Sequence, residues 1–231
     1  MTKVLSTKIL SPKLKKIVES QGITLMDYNA IHITFRKFTI DPDNDYYIFT
    51  SQNAVRGFLR AYDNLPLPEK RKEALSKSCF CVGNKTSKLL DENGLKVIKT
   101  AKNSKELADF IVKNHQNASF SFICGNRRRA ELPSILIENT VRYREVIAYD
   151  TLDNVVGMDR SYDGVLFFSP SAVQSYTSVN ELSGNTAFCI GESTAREASK
   201  HTGNIVISKH QSIENVLESV VEYYHTKLDK E

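Results

Sequence analysis

Residues 48–55, IFTSQNAV, and residues 166–173, LFFSPSAV, are two versions of one pattern. In each, an apolar run of strand-forming residues stops at a serine, and small residues then open a helical pattern. Aligned, they pair Ser51 with Ser169, Asn53 with Ser171 and Ala54 with Ala172, an offset of 169 − 51 = 118 residues. A second pair, FCVGNKTSKLL at 80–90 and FCIGESTAREA at 188–198, sets Gly83 against Gly191 and Thr86 against Thr194, at 191 − 83 = 108. The difference, 118 − 108 = 10 residues, falls in the proline-bearing connection around Pro66 and Pro68. Each pair is followed by a glycine-containing turn, a strand and an acidic helix opening at Ser104 or Ser212. The chain therefore contains a duplicated half-domain.

Working outward, short β-branched and aromatic runs alternate with helical patterns, the signature of parallel sheets covered by helices. Strands are expected at 3–5, 23–26, 46–49, 80–82, 96–98, 120–123, 143–148, 165–168, 187–190 and 205–207. Asn84 is expected to cap a helix ending at Asn93-Gly94, and Ser169 one with Pro170 in its first turn. Ser212 should open a helix whose apolar stripe is Ile213, Val216, Leu217, Val220 and Val221. Each copy supplies about three strands, and a doubly wound sheet needs roughly five. Residues 120–148 complete the first copy. The N-terminal strand, helix and strand up to Met26 complete the second.

The expected fold is α/β, with two doubly wound parallel-sheet domains of related topology joined by a two-stranded linker. One domain is discontinuous (1–35 and 152–231), the other is inserted (39–148), and the crossings are 36–38 and 149–151. At 231 residues, the chain accommodates two such domains. The arrangement permits a hinged cleft between them.

Composition narrows the function. With 41% hydrophobic and 25% charged residues the chain is of ordinary globular make-up. It has neither a signal-peptide core nor an apolar stretch of about 20 residues, so no membrane partner is expected and the cytoplasm is the expected location. The net charge of +4, from 31 basic and 27 acidic residues, favours an anionic ligand without demanding nucleic acid. Cys79, Cys81, Cys124 and Cys189 lie in strand-like runs and read as structural thiols, with no spacing that suggests a metal. His32, His115, His201, His210 and His225 form no ligand motif. Neither GxGxxG nor GxxxxGK[ST] is present, so no nucleotide cofactor is implied.

Ligands of open α/β sheets settle outside the carboxyl ends of the strands, against helix N-termini. The small and hydroxyl residues at those places are Thr50, Ser51, Gln52 and Asn53; Gly83, Asn84 and Thr86; Ser169, Pro170 and Ser171; and Gly191, Ser193 and Thr194. Each is also explained by helix capping alone. The segment Gly125-Asn126-Arg127-Arg128-Arg129 sets three arginines where a helix should begin. The helix dipole disfavours cations there by a few tenths to about 1 kcal/mol each. Arg127 and Arg128 are thus candidates to bind carboxylate, the alternative being a solvated basic turn. Tyr149, ending VIAY, either donates a proton to a leaving group or packs at a strand end with its hydroxyl in water.

Taken in order, TSQNAV, VGNKTSKLLDENG, CGNRRRAELPSIL, VIAYDT, FFSPSAV and IGESTAREA resemble the successive motifs of uroporphyrinogen-III synthases. The resemblance implies a cofactor-free, monomeric lyase of tetrapyrrole synthesis. Its substrate would be hydroxymethylbilane, a linear tetrapyrrole bearing acetate and propionate on every ring, received from the preceding pathway enzyme. Such an enzyme closes the macrocycle through a spiro intermediate, inverting the last ring and eliminating water. Carried onto this chain, the resemblance assigns Tyr149 to departure of the hydroxyl, and Thr86 and Thr194 to the two helix starts. Ser51, Ser169, Ser171, Gly83 and Gly191 become carboxylate-meeting rim positions. Ser87 departs from the family, which commonly has alanine there. Two other readings remain open: a non-catalytic two-lobed binding protein for a small anion, and a phosphate-ester isomerase using the arginine turn.

Overall fold

The structure, a computed structural model, describes residues 2–41, 43–65, 67–158 and 162–228, excluding the side chains of 227 and 228. Pro66, one of the two prolines marking the longer connection, lies outside the described residues. In chain order the first elements are β1 (Lys3–Ser6), α1 (Pro12–Glu19), β2 (Thr24–Asp27), β3 (Ile31–Phe35), β4 (Tyr46–Phe49), α2 (Gln52–Asp63), α3 (Pro68–Ser76), β5 (Cys79–Val82), α4 (Asn84–Glu92) and β6 (Val97–Ala101). There follow α5 (Ser104–His115), β7 (Ser119–Gly125), α6 (Glu131–Glu138), β8 (Arg142–Asp153), β9 (Gly164–Phe167), α7 (Pro170–Thr177), β10 (Thr186–Cys189), α8 (Glu192–Ala198), β11 (Ile205–Ile207) and α9 (Ile213–Leu228).

The chain divides into two compact units, Met1–His32 with Leu152–Glu231, and Ile33–Thr151. The first holds a five-stranded sheet in the order β11-β10-β9-β1-β2, every neighbouring pair parallel. The second holds a six-stranded sheet in the order β3-β8-β7-β4-β5-β6, with β4–β5, β4–β7, β5–β6 and β7–β8 parallel. The duplicated segments β9-α7-β10-α8-β11 and β4-α2-β5-α4-β6 occupy matching places. The completing pairs β1–β2 and β7–β8 also match, although one precedes its copy in sequence and the other follows it.

Both sheets are buried on two faces, which explains their near-continuous apolar strands. In the first unit Leu5, Val165, Phe167 and Cys189 pack with Ala172, Val173, Ala195 and Ala198 from α7 and α8. The opposite face joins Val4, Leu166 and Phe188 to Val18 of α1 and to Val216, Leu217 and Val220 of α9. The expected stripe of α9 is therefore the buried one, each full burial contributing roughly 1.5–3 kcal/mol. In the second unit Tyr47 and Phe49 of β4 face a cluster with Val55 and Phe58 of α2, while Ile48 faces Leu107 and Ile111 of α5.

Several expectations change. Ile31–Phe35, expected at the end of the discontinuous domain's first segment, forms a strand of the six-stranded sheet, so 33–35 belong to the inserted unit. Residues 149–151 continue β8 rather than ending it. Asn84 is the first residue of α4 and not its cap; Gly83 holds the cap position at φ 85°, a conformation that suits glycine. The helix α5 does open at Ser104, and its cap is Asn103, whose side chain accepts from the Glu106 amide. Ser169 and Ser212 do cap, each accepting from the amide three residues on, at 3.1 Å.

The duplication reaches individual contacts. Gly57 of α2 lies so close to β8 that a Cβ would stand 2.9 Å from the Ala148 Cβ and 3.0 Å from its carbonyl oxygen. At the matching position, 57 + 118 = 175, Ser175 donates a buried 2.6 Å hydrogen bond to the Ala30 carbonyl. Gly57→Val should therefore cost about 2–3 kcal/mol through overpacking against a backbone that cannot retreat. Urea unfolding measures this, and an unchanged midpoint would refute the close packing.

Candidate functional site

Each sheet reverses its winding at one point: between β4 and β7 in the inserted unit, between β9 and β1 in the discontinuous one. Crevices at the carboxyl ends of strands beside such points are where open sheets receive ligands. In the inserted unit, Thr50, Ser51, Gln52 and Asn53 follow β4; Gly83, Asn84 and Thr86 follow β5; and Gly125 ends β7. All lie at the same end of the sheet. In the other unit Ser169, Pro170 and Ser171 follow β9, and Gly191, Ser193 and Thr194 follow β10.

The matched residues behave alike. Ser51 caps α2 by accepting from the Ala54 amide, and Ser169 caps α7 by accepting from the Ala172 amide, both at 3.1 Å. The Thr86 and Thr194 amides each donate at 3.0 Å to the carbonyl of the glycine three residues earlier, and both side chains are buried. No acidic residue occupies the first turn of α2, α4 or α7, so the partial positive charge of those ends is left uncompensated. The short helix α8 differs, because Glu192 stands in its first turn and opposes an incoming anion. Asn84 and Ser193 are exposed; Asn53 accepts from Arg56 at 3.2 Å.

Tyr149 stands across the β4–β7 crevice, and its position depends on an irregularity. The register of β7 against β8 shifts between Cys124 and Gly125, Cys124 pairing with Ile147 and Gly125 with Tyr149. The extra residue, Ala148, breaks the alternation along the pair. Tyr149 consequently packs on the same core as Ala148, with its ring lying over Gly125. A Cβ on Gly125 would stand 2.4 Å from the Tyr149 Cζ and 2.8 Å from its hydroxyl, so only glycine leaves room for the ring.

The Tyr149 hydroxyl is 3.0 Å from Ser51 Oγ, and either oxygen can donate. Burial raises the phenol's pKa above its ordinary value, with the Ser51 hydrogen bond opposing and the Cys124 thiol adding to the rise. At neutral pH the group therefore holds its proton. The neighbouring turn is pinned by Asn126, whose amide donates to the Tyr149 carbonyl at 3.1 Å and whose side chain accepts from the Thr151 amide at 2.8 Å. Asn126 is a positioning residue that the sequence does not mark. Its partners lie over twenty residues away in sequence, and no local signal marks them.

The arginine turn is reinterpreted. Arg127, Arg128 and Arg129 precede α6, which starts at Glu131, so no cation occupies the first helical turn and Glu131 complements the dipole there. Arg128 Nε donates to Glu145 of β8 at 2.7 Å, which engages that guanidinium within the unit. Arg127 and Arg129 are exposed. Among the described residues no cluster of three metal-ligating side chains exists, and all four cysteines are buried free thiols. Burial lifts the Cys79, Cys124 and Cys189 thiols to about 12, which marks them as packing groups rather than nucleophiles.

Both α/β units present helix N-termini and hydroxyls at the strand ends beside a switch point, the place where open α/β sheets receive ligands. The chain matches the family model described as Uroporphyrinogen-III synthase HemD over residues 12–218, and it belongs to that family. The uroporphyrinogen-III synthase of Saccharomyces cerevisiae is 26% identical over 156 residues, 58% of this chain; the match spans 57% of the yeast protein's length. Two solved structures share the fold. The Helicobacter pylori uroporphyrinogen-III synthetase has a TM-score of 0.71 at 19% identity, over 96% of this chain and 100% of that one. A mutant Thermus thermophilus uroporphyrinogen III synthase has a TM-score of 0.71 at 15% identity, over 100% of both chains. No described helix is long and apolar enough to cross a membrane.

The phenol's environment is directly measurable. With Tyr149 labelled at 13Cζ, Ser51→Ala should raise its pKa further, because the opposing hydrogen bond is lost. Gly125→Ala should bring it back towards the ordinary value of 10.0 by forcing the ring out of its seat. Since the folded-state pKa is the raised one, the accompanying stability is present below the unfolded pKa and is lost as pH climbs through the folded value. A Tyr149 titrating identically in all three proteins would show that neither contact governs it.

Proposed function

We propose that this chain is a uroporphyrinogen-III synthase that converts hydroxymethylbilane to the cyclic, ring-inverted product with loss of water. The observation that carries this reading is the protonated Tyr149 phenol, held by Ser51 over Gly125 at a switch point whose helix ends are free of acidic groups. Acetate and propionate groups of the substrate are received at the helix starts of α2, α4 and α7 through backbone N–H donors and the Ser51, Ser169, Ser171, Gly83 and Thr86 positions. Thr50, Gln52, Asn53, Asn84 and Pro170 line the same turns. The α8 start, with Gly191, Ser193 and Thr194, contributes less because of Glu192.

Tyr149 gives its proton to the terminal hydroxyl, which departs as water. The substituted carbon of the last ring then attacks the methylene carbon that the water has left, forming a spiro intermediate. Fragmentation and reclosure complete the macrocycle, and a proton released on aromatisation restores the phenol. Since the substrate also cyclises unaided to the uninverted isomer, the protein's larger task is to hold the conformation that favours the other closure. No cofactor or metal takes part in this route. A single copy in the reducing cytoplasm suffices, consistent with four free cysteines, and substrate would come from the enzyme that assembles the linear tetrapyrrole.

Incubation with hydroxymethylbilane, followed by separation of the oxidised product isomers, tests the reading. The inverted isomer should dominate, and Tyr149→Phe should slow its formation about 10-fold to 100-fold while the unaided isomer accumulates. A product ratio equal to that of buffer would leave a non-catalytic anion-binding protein. A Tyr149→Phe variant as fast as its parent would remove the phenol from the chemistry.

A further inference from the structure

The inserted unit contains a second cavity, at the other end of β4 from the serine cap. It has a volume of about 320 Å³ and is walled by Thr39, Ile40, Tyr47, Leu65, Ala74 and the polar trio Lys70, Glu73 and Lys77. Tyr47 and Ser51 are four residues apart, about 13 Å along an extended chain. The cavity is therefore separate from the crevice that Tyr149 spans.

Three observations set it apart from ordinary imperfect packing. The first is Tyr47 itself, which is wholly buried and whose hydroxyl has no hydrogen-bond partner among the described residues. A buried hydroxyl without a partner is costly, and native structures rarely leave one unexplained. Burial, with the nearby charge of Glu73 on the cavity wall, raises the phenol's pKa, so it is a donor in need of an acceptor. The second is the duplicated frame: the position matching Tyr47, at 47 + 118 = 165, is Val165, so the fold itself does not require a phenol. The third is α3, the element accounting for the extra residues of this copy. It buries only Ala74 in the core, and Lys70, Glu73 and Ala74 from it wall the cavity.

We infer that this cavity is a binding site for a small aromatic carboxylate with a hydrogen-bond acceptor at the end remote from the carboxylate. The ring would occupy the apolar space between Ile40, Leu65 and Ala74, the acceptor would meet the Tyr47 hydroxyl, and the carboxylate would lie at the Lys70 end. The volume is at the lower end of small-molecule sites, which sets the ligand at about one ring with two substituents. Binding would tie α3 and the segment around Ile40 to the sheet.

The test uses the full chain and three probes, 4-methoxybenzoate, 4-ethylbenzoate and anisole, followed by amide shifts in NMR spectra. 4-Methoxybenzoate should shift the amides of Ile40, Tyr47, Leu65 and Ala74, with a dissociation constant on the order of 1 mM for so small a ligand. 4-Ethylbenzoate, lacking the acceptor, should bind about fivefold to tenfold more weakly. Tyr47→Phe, which preserves shape, should abolish that difference while leaving hydroxymethylbilane turnover unchanged. Lys70→Glu should weaken both carboxylates but not anisole. No shift at these amides up to about 10 mM probe, at which a millimolar site would be filled, would mean that water alone satisfies the phenol, and the inference would fail. It would fail equally if Tyr47→Phe weakened both carboxylates alike, or if the shifts clustered at the starts of α2 and α4 instead.

Discussion

The seat of Tyr149 depends on the absence of one methyl group. Gly125 leaves its side-chain space to the Tyr149 ring, whose Cζ would lie 2.4 Å from any Cβ placed there. The register shift at Cys124/Gly125 puts the tyrosine on the face where that space exists, and Ser51 fixes the hydroxyl at 3.0 Å. Three strands thus meet in one contact: β4 through its cap, β7 through its last residue and β8 through its extra residue. Gly125, a candidate substrate contact, is in this structure the seat of the Tyr149 ring, the group proposed to give up the proton.

The two units show what duplication keeps and what it releases. Gly57 against Ala148 of β8, and Ser175 bonded to the Ala30 carbonyl just past β2, preserve one close approach of the helix by different means. One residue further along the chain the copies part, with Tyr149 in one and Ile31 in the other. The serine caps, the glycines before α4 and α8 and the buried threonines are common to both, so they serve the frame as well as any ligand. Tyr149, Tyr47 and α3 occur on one side only, and no demand of the shared frame explains them.

Much of this was legible in the sequence, because the signals are local. A serine followed by Gln-Asn-Ala or Pro-Ser-Ala after an apolar run specifies a cap at short range, and the motif offsets revealed the duplication and its discontinuous completion. Contacts between distant residues were not legible. The arginine turn read as a dipole conflict because the helix start was set too early, and the Arg128–Glu145 pair spans 145 − 128 = 17 residues. The strand β3 has the alternating pattern IHITF, but it pairs with β8, over a hundred residues away in sequence, and nothing local assigns it to the other unit's sheet. The bulge that aims Tyr149 leaves no composition signal, since it depends on the register between two strands.

In the proposed function, carboxylates are held mainly by backbone donors at helix starts, and the cationic turn is secondary. A structure with the ring-inverted cyclic product bound tests this directly. The account predicts carboxylate oxygens within about 2.7–3.2 Å of N–H groups at the first turns of α2, α4 and α7. Carboxylates held instead by Arg127, Arg128 and Arg129, with those helix starts still solvated, would contradict it.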